Sequence, residues 1–199
     1  MGAWNVAILN PKWIANEIMK LPIETAILME LGVGTTLRLR AKIADLFFIP
    51  TNERLILNPS KEDDEVFKLA DSAVNKLYNT LPYTPIEAIG YNFTYELDER
   101  EDFSVDIKFE LPCLNDFYKD IEASAVLESE VHHALKLSND AYVIFNITLR
   151  IVSDKKIVAI NYHYQTDNDR GRIEHALDKF YINYKHSQLA ISRLTKNGE

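Results

Sequence analysis

The chain has 199 residues, a formal net charge of -8 and a sequence pI near 5.2, and 47% of its residues are hydrophobic. At this length and composition it should bury roughly 70% of its unfolded surface, which excludes a disordered or fibrous protein. The acidic balance argues against nucleic acid as a partner, because binding to phosphates depends on a basic surface. The single cysteine, Cys113, excludes an internal disulfide, and no apolar run is long enough to suggest a membrane span. These features predict a cytoplasmic globular protein.

The predicted first half, residues 1–82, contains short strands and a brief helix that starts at Pro11, and it closes with one longer helix. Strict alternation of apolar and charged residues from Thr36 to Ile43 is typical of a strand with one buried face. Pro50–Glu53 has the composition of a tight turn between two further antiparallel strands. Acidic residues at its start and apolar residues at helical spacing predict a helix over 62–81. The polar face of the alternating strand carries the basic residues Arg38, Arg40 and Lys42.

Two prolines in the segment Leu81–Pro85 separate this half from the second half, residues 86–199, because proline ends a helix and forces an extended path. Runs of alternating residues then predict antiparallel strands at 86–97, 103–111, 121–137, 141–152 and 156–165. A short polar turn joins the last two runs into a hairpin. Apolar residues at helical spacing predict one long helix over 169–194. We expect the two halves to form one compact unit.

The predicted fold is therefore α+β, with antiparallel sheet packed against two long helices. The two helices have similar sequences near their ends, since Ala73–Tyr78 reads AVNKLY and Ala176–Tyr181 reads ALDKFY. This similarity suggests internal duplication of a unit made of strands and a helix. Amphipathic helices also resemble one another without common origin, so the duplication stands as one of two explanations.

No spacing of residues in the chain specifies a reaction, a metal or a cofactor. His132 and His133 are adjacent, so in a strand they point to opposite faces and do not bind one ion together. His175 and His186 lie about three helical turns apart, roughly 16 Å, which is too far for a shared ion. We therefore expect no metal, no cofactor and no catalytic residue, and we favour a protein that is not an enzyme.

The strongest candidate for a functional site is the polar face of the predicted second-half sheet. Asparagine is locally unfavourable in strands, yet this face carries several asparagines and many other hydrogen-bonding groups. A wetted face of an antiparallel sheet is the ordinary explanation for such a pattern, and a recognition surface is the alternative. The face displays Asn92, Thr94, Glu96, Asp106, Lys108, Glu128, Glu130, His132, Asn146, Thr148, Arg150, Asn161 and His163. Arg38 and Arg40 provide a basic counterpart in the first half, as a solvated strand face or as one side of an interface.

Two classes of function fit these features. The first is a non-catalytic, acidic protein-interaction module, such as an adaptor, an inhibitor or an immunity-like protein, that binds a protein partner through the polar sheet face or an acidic rim. The rim would include the carboxylates of Glu96–Glu110, and its charge favours a basic partner. The alternative is a small-ligand-binding protein or enzyme with a pocket between sheet and helix, near Tyr91, Tyr95, Tyr162 and Tyr164. The apolar segment Leu189–Leu194 packs either inside the domain or against a second copy, so a homodimer is a further expectation.

Overall fold

The fold comes from a computed structural model, which describes residues 1–32, 38–98, 101–103, 128–152 and 155–197. It is α+β with antiparallel sheets, as the sequence predicts. Two compact units are present: the first comprises Met1–Gly90 and Tyr164–Ile182, and the second comprises Tyr91–His163 and Asn183–Glu199. The units are defined by contacts between residues, and the division of the sequence into residues 1–82 and 86–199 remains a prediction.

The first unit begins with a short helix, α1 (Pro11–Trp13), that continues as a π-helical turn over Ile14–Ile18. The side-chain oxygen of Asn10 caps α1 by accepting a hydrogen bond of 2.9 Å from a backbone N–H of that helix. The wider π turn is closed by the Met19 N–H, which donates to the Ile14 carbonyl five residues back at 2.9 Å. The buried side of this turn joins the core of the first unit.

Four antiparallel strands form the first sheet, in the order β1-β2-β3-β4. They are β1 (Leu28–Gly32), β2 (Arg38–Ile43), β3 (Leu46–Pro50) and β4 (Leu55–Pro59). The alternation predicted for β2 is present, because Ala41 and Ile43 are buried and Lys42 between them is only half-buried. Ala41 pairs with Phe48 across β2 and β3, so both side chains enter the core.

Helix α2 (Asp64–Thr80) packs against the buried face of that sheet. Asp63 caps it, because its carboxylate accepts hydrogen bonds from the second and third backbone N–H groups after it. This cap explains why the helix begins two residues later than the predicted range of 62–81. The buried residues Val66, Ala70, Ala73 and Leu77 follow the predicted helical spacing.

The second sheet has four described strands in the order β5-β9-β8-β7. A separate pair is formed by β6 (Glu101–Phe103) and β10 (Thr195–Asn197). The four strands of the second sheet are β5 (Ala88–Glu96), β7 (Glu128–Leu137), β8 (Asp140–Val152) and β9 (Lys155–Gln165). Strands β5, β8 and β9 lie close to the predicted strands at 86–97, 141–152 and 156–165, respectively. Parts of the predicted strands at 103–111 and 121–137 lie outside the described residues.

The prediction of one continuous helix over 169–194 is wrong. Two helices are present, α3 (Arg170–Ala176) and α4 (Phe180–Leu194). Asp178 between them has a left-handed backbone with φ of 56°, which a continuing α-helix does not allow. Asp71 of α2 accepts hydrogen bonds from the first two backbone N–H groups of α4, at 3.0 and 3.4 Å. Burial raises the pKa of Asp71, and these two hydrogen bonds oppose the rise.

The break also changes the setting of the two similar helix sequences. Ala73–Tyr78 lies within one continuous helix, whereas Ala176–Tyr181 spans the end of α3, the break and the start of α4. Internal duplication therefore remains a prediction. Leu177, at the end of α3, is 5% exposed and packs with Ile86 and Ile173, so it occupies a core position although it is not inside a long helix.

Candidate functional site

The second sheet has one buried face and one accessible face, because side chains alternate along each strand. On β8 the buried side chains are Val143, Phe145, Ile147 and Leu149, and on β9 they include Val158, Ile160 and Tyr162. The positions between them point the other way. We call this second set the outer face, and within residues 91–163 the predicted members found on it are Asn92, Thr94, Glu96, Glu128, Glu130, His132, Asn146, Thr148, Arg150, Asn161 and His163. Asp106 and Lys108, which were predicted to join it, lie outside the described residues.

Three asparagines form a hydrogen-bonded row across three neighbouring strands of the outer face. The Asn146 side-chain N–H₂ of β8 donates to the Asn161 side-chain oxygen of β9 at 2.9 Å. The Asn161 N–H₂ in turn donates to the Asn92 oxygen of β5 at 2.8 Å. We call these three residues the asparagine row. It joins strands that are far apart in the sequence, since Asn92 and Asn161 are 69 positions apart.

The asparagine row leaves hydrogen-bonding capacity at both ends. Each amide group has one oxygen that accepts and one N–H₂ that donates. Within the described residues, the N–H₂ of Asn92 has no acceptor and the side-chain oxygen of Asn146 has no donor. Asn92 is exposed and Asn146 is half-buried. The row therefore presents a donor at one end and an acceptor at the other to solvent or to a binding partner.

Ion pairs lie on the same face, four residues further along β5 and β8 than Asn92 and Asn146. The Arg150 guanidinium donates from Nε to Glu130 at 2.8 Å and lies 3.3 Å from Glu128. Lys155 contacts Glu96 at 2.7 Å. Contact with Glu130 raises the pKa of Arg150 above its ordinary value. Arg150 and Lys155 are thus each paired with carboxylates of the same face.

The remaining predicted residues of this face are also placed on it. His132 lies opposite Thr148 in the strand register, and its ring Nδ1 is 3.0 Å from the Thr148 hydroxyl oxygen. Thr94 is exposed on β5, two residues beyond Asn92. His163 is half-buried on β9, two residues beyond Asn161. The structure therefore gathers seven of the predicted binding residues on one surface: Asn92, Thr94, His132, Asn146, Arg150, Asn161 and His163.

Arg38 and Arg40 belong to the first sheet and not to this surface. The Arg40 guanidinium lies 3.5 Å from the centre of the Phe47 ring, and its Nε lies 3.4 Å from a Glu30 carboxylate oxygen. Arg40 is half-buried by these contacts. Arg38 begins β2, and its side chain lies outside what the structure describes. Arg40 is thus held within its own sheet.

Sequence reasoning missed two features of the outer face. Ile144 lies on it two residues before Asn146 and is 38% exposed, so a large apolar side chain borders the asparagine row. Lys155 was placed in a turn, but it begins β9 and supplies the ion pair with Glu96. Strand alternation from Phe145 was a sufficient signal for Ile144. The Lys155 contact required knowledge that β5 and β9 are neighbours.

The four tyrosines of the alternative prediction belong to the interior. Tyr91, Tyr162 and Tyr164 are each buried, and the Tyr95 hydroxyl forms a 2.6 Å hydrogen bond with Ser187 of α4. Tyr162 also pairs its hydroxyl with His186 of α4 at 2.8 Å. These contacts use the polar ends of the rings to join strands to helices, which is an ordinary structural role for buried tyrosine.

The described residues contain no group of three or more His, Cys, Asp or Glu side chains arranged to hold a metal ion. Cys113 and three carboxylates of the predicted acidic rim, Glu99, Asp106 and Glu110, lie outside them. No helix in the described part of the chain has the length and apolar character needed to cross a membrane.

Comparison with known proteins gives no relative: no protein-family model, no curated protein and no solved structure matches the chain.

Proposed function

We propose that the protein is a non-catalytic protein-interaction module that binds a protein partner through the outer face of the second sheet. The asparagine row is the observation that supports this function. Its three members are polar, uncharged and placed on three adjacent strands, and its two ends offer a donor and an acceptor to another surface. Protein interfaces characteristically combine such hydrogen-bonding groups with apolar contacts, which Ile144 supplies here.

The contribution of the asparagine row to folding stability is too small to explain why asparagine occupies these three positions. Exposed strand positions are better filled by β-branched or aromatic residues than by asparagine. A hydrogen bond between side chains adds only about 0.5–1.5 kcal/mol to stability in water, where each partner otherwise bonds to solvent. Three asparagines at neighbouring positions are better explained by recognition, in which donors and acceptors set the specificity for a partner.

The charges of this region define the chemistry of the partner. Because Arg150 and Lys155 are already paired with carboxylates, the outer face does not attract a partner by a strong field of one sign. Binding through this face should depend on matched hydrogen bonds and should change little with salt. Binding through the predicted acidic rim should instead weaken sharply as salt screens its charges.

Comparative capture from a native lysate tests the proposal. The full-length tagged protein is compared with a triple variant, Asn92→Ala, Asn146→Ala and Asn161→Ala, at about 50 mM and about 500 mM NaCl. Asn58→Ala is the matched control, because Asn58 is an exposed strand asparagine of the first sheet. We expect a stoichiometric protein that is retained at both salt concentrations by the wild type and the control, and is lost from the triple variant.

Two results would contradict the proposal. Equal capture by the wild type and the triple variant would show that the asparagine row makes no contact with the partner. Loss of the partner from the wild type at the higher salt concentration would assign binding to charged residues such as the acidic rim. Circular dichroism of each variant confirms that a loss of binding is not a loss of fold.

A further inference from the structure

A cavity of about 260 Å³ lies in the first unit, lined entirely by residues between positions 10 and 29. Its apolar lining consists of Pro11, Ala15, Pro22, Ile23, Ile27 and Met29. Its polar lining consists of Asn10, Lys12, Asn16 and Thr25. Apolar walls with a small number of polar groups are the usual composition of a site for a small molecule.

The backbone beside this cavity is unusual in two ways. The π-helical turn Ile14–Ile18 supplies two successive lining residues, Ala15 and Asn16. Lys20, shortly after the turn, has a left-handed backbone with φ of 55°, which is uncommon for a residue other than glycine. π-helical turns and left-handed residues of this kind concentrate at functional sites, where the surrounding structure holds them.

Among the polar groups of the cavity, Lys12 favours an anion, and Asn16 and Thr25 can donate to it. Asn10 is occupied as the cap of α1. Within the described residues, the ammonium group of Lys12, the amide of Asn16 and the hydroxyl of Thr25 form no hydrogen bond or ion pair with another residue. The cavity lining contains one cation and no carboxylate. These donors fit the oxygens of a single negatively charged group.

The apolar side chains at the edge of the cavity favour a ligand that carries an apolar group in addition to its charged group. Ile23 is 84% exposed and Met29 is 53% exposed, although both are large hydrophobic residues that line the cavity. Covering such surface is favourable because it removes apolar area from water. Ile27 continues the apolar wall and is half-buried.

We propose that this cavity binds a small carboxylate with an unbranched apolar chain. The carboxylate contacts Lys12, Asn16 and Thr25, and the chain lies against Ile23, Ile27 and Met29. The volume is slightly below the roughly 300 Å³ at which pockets for drug-sized ligands begin, so a ligand of about ten non-hydrogen atoms fits. Octanoate has this size and chemistry. The site belongs to the first unit and does not depend on the proposed interaction of the second sheet.

This site is tested by adding octanoate to the full-length protein. NMR spectra of the protein's methyl groups are recorded at each octanoate concentration. We expect saturable shifts at the methyl groups of Ile23, Ile27 and Met29. Lys12→Met keeps most of the side-chain stem and removes the charge, so it should weaken octanoate binding about tenfold, as expected for loss of a charge-assisted hydrogen bond. Lys76→Met is the matched control, since Lys76 is exposed on α2 of the same unit and lies outside the lining.

Octylammonium has the same chain with the opposite charge, and it should give no saturable shifts at these residues. The proposal is overturned if octanoate causes no saturable shift there, if octylammonium binds equally well, or if Lys12→Met has the same affinity for octanoate as Lys76→Met and the wild type. Lys12 is exposed, so unchanged thermal unfolding of its variant is expected and confirms that a lower affinity is not caused by unfolding.

Discussion

The two faces of the second sheet use side chains for different purposes. On the buried face, Phe93, Phe145 and Tyr162 contact one another or α4 through aromatic rings, with centroid separations of 5.2–6.0 Å. On the outer face, the same strands carry the asparagine row and paired charges. Adjacent residues of a strand belong to opposite faces of the sheet. The buried face therefore packs the sheet against α4, whereas the outer face is the surface that we propose for binding.

The largest expected effect on stability is at Phe145 of the buried face. Phe145→Ala should lower the free energy of unfolding by about 3–5 kcal/mol, because it removes a buried ring that contacts Tyr162 and His186. Ile144→Ala is the matched control, since Ile144 is the adjacent residue on the outer face. Ile144→Ala should change the free energy of unfolding by less than about 1 kcal/mol. Urea unfolding measures both, and similar values for the two variants would contradict the assignment of the faces.

A smaller effect is expected at the hydroxyl group of Tyr162. Tyr162→Phe keeps the buried ring and removes the 2.8 Å hydrogen bond to His186 of α4. The free energy of unfolding should fall by about 0.5–1.5 kcal/mol, because the ring packing is retained and the hydrogen bond to His186 is lost. The same urea titration measures this change. A loss of stability as large as that of Phe145→Ala would contradict this account, because it would show that the Tyr162 hydroxyl contributes as much to the free energy of unfolding as a buried ring.

The smallest effect is expected at Arg150 of the outer face. Arg150→Ala removes an ion pair with Glu130 and Glu128, but the three side chains are solvated and lose little on separation. Its urea midpoint should match that of the wild type. Capture of the protein partner should nevertheless become more sensitive to salt, because the variant leaves two carboxylates of the outer face without their cation. A stability loss comparable to that of Tyr162→Phe would mean that the outer face contributes to folding.

Local patterns were sufficient to predict β5, β8 and β9 of the second sheet and to separate their buried positions from their outer ones. Alternation depends only on the side-chain direction of successive residues, so the run at 141–152 predicted β8, which spans Asp140–Val152. The break between α3 and α4 could not be predicted in this way. It depends on Asp71, which caps α4 from 109 positions away in the sequence. A regular helical pattern over 169–194 does not reveal such a contact.

The candidate site was predicted as a set of residues but not as an arrangement. Asn92, Asn146 and Asn161 were each expected on one polar face, and the structure confirms that placement. Their order across the sheet depends on β9 lying between β5 and β8. Strand order is set by long-range pairing, which no local pattern contains. The cavity of the first unit was missed for a related reason, because a π-helical turn has no distinct sequence signature.

The most direct test of the proposed recognition surface is the affinity of the captured partner for Asn161→Asp. This change preserves the size of the central side chain of the row, but a carboxylate cannot donate to Asn92. Asn58→Asp places the same charge on an exposed strand position of the first sheet. We predict a dissociation constant raised at least about tenfold for Asn161→Asp and unchanged for Asn58→Asp. Equal affinities of the two variants for the partner would contradict the claim that the outer face is the recognition surface.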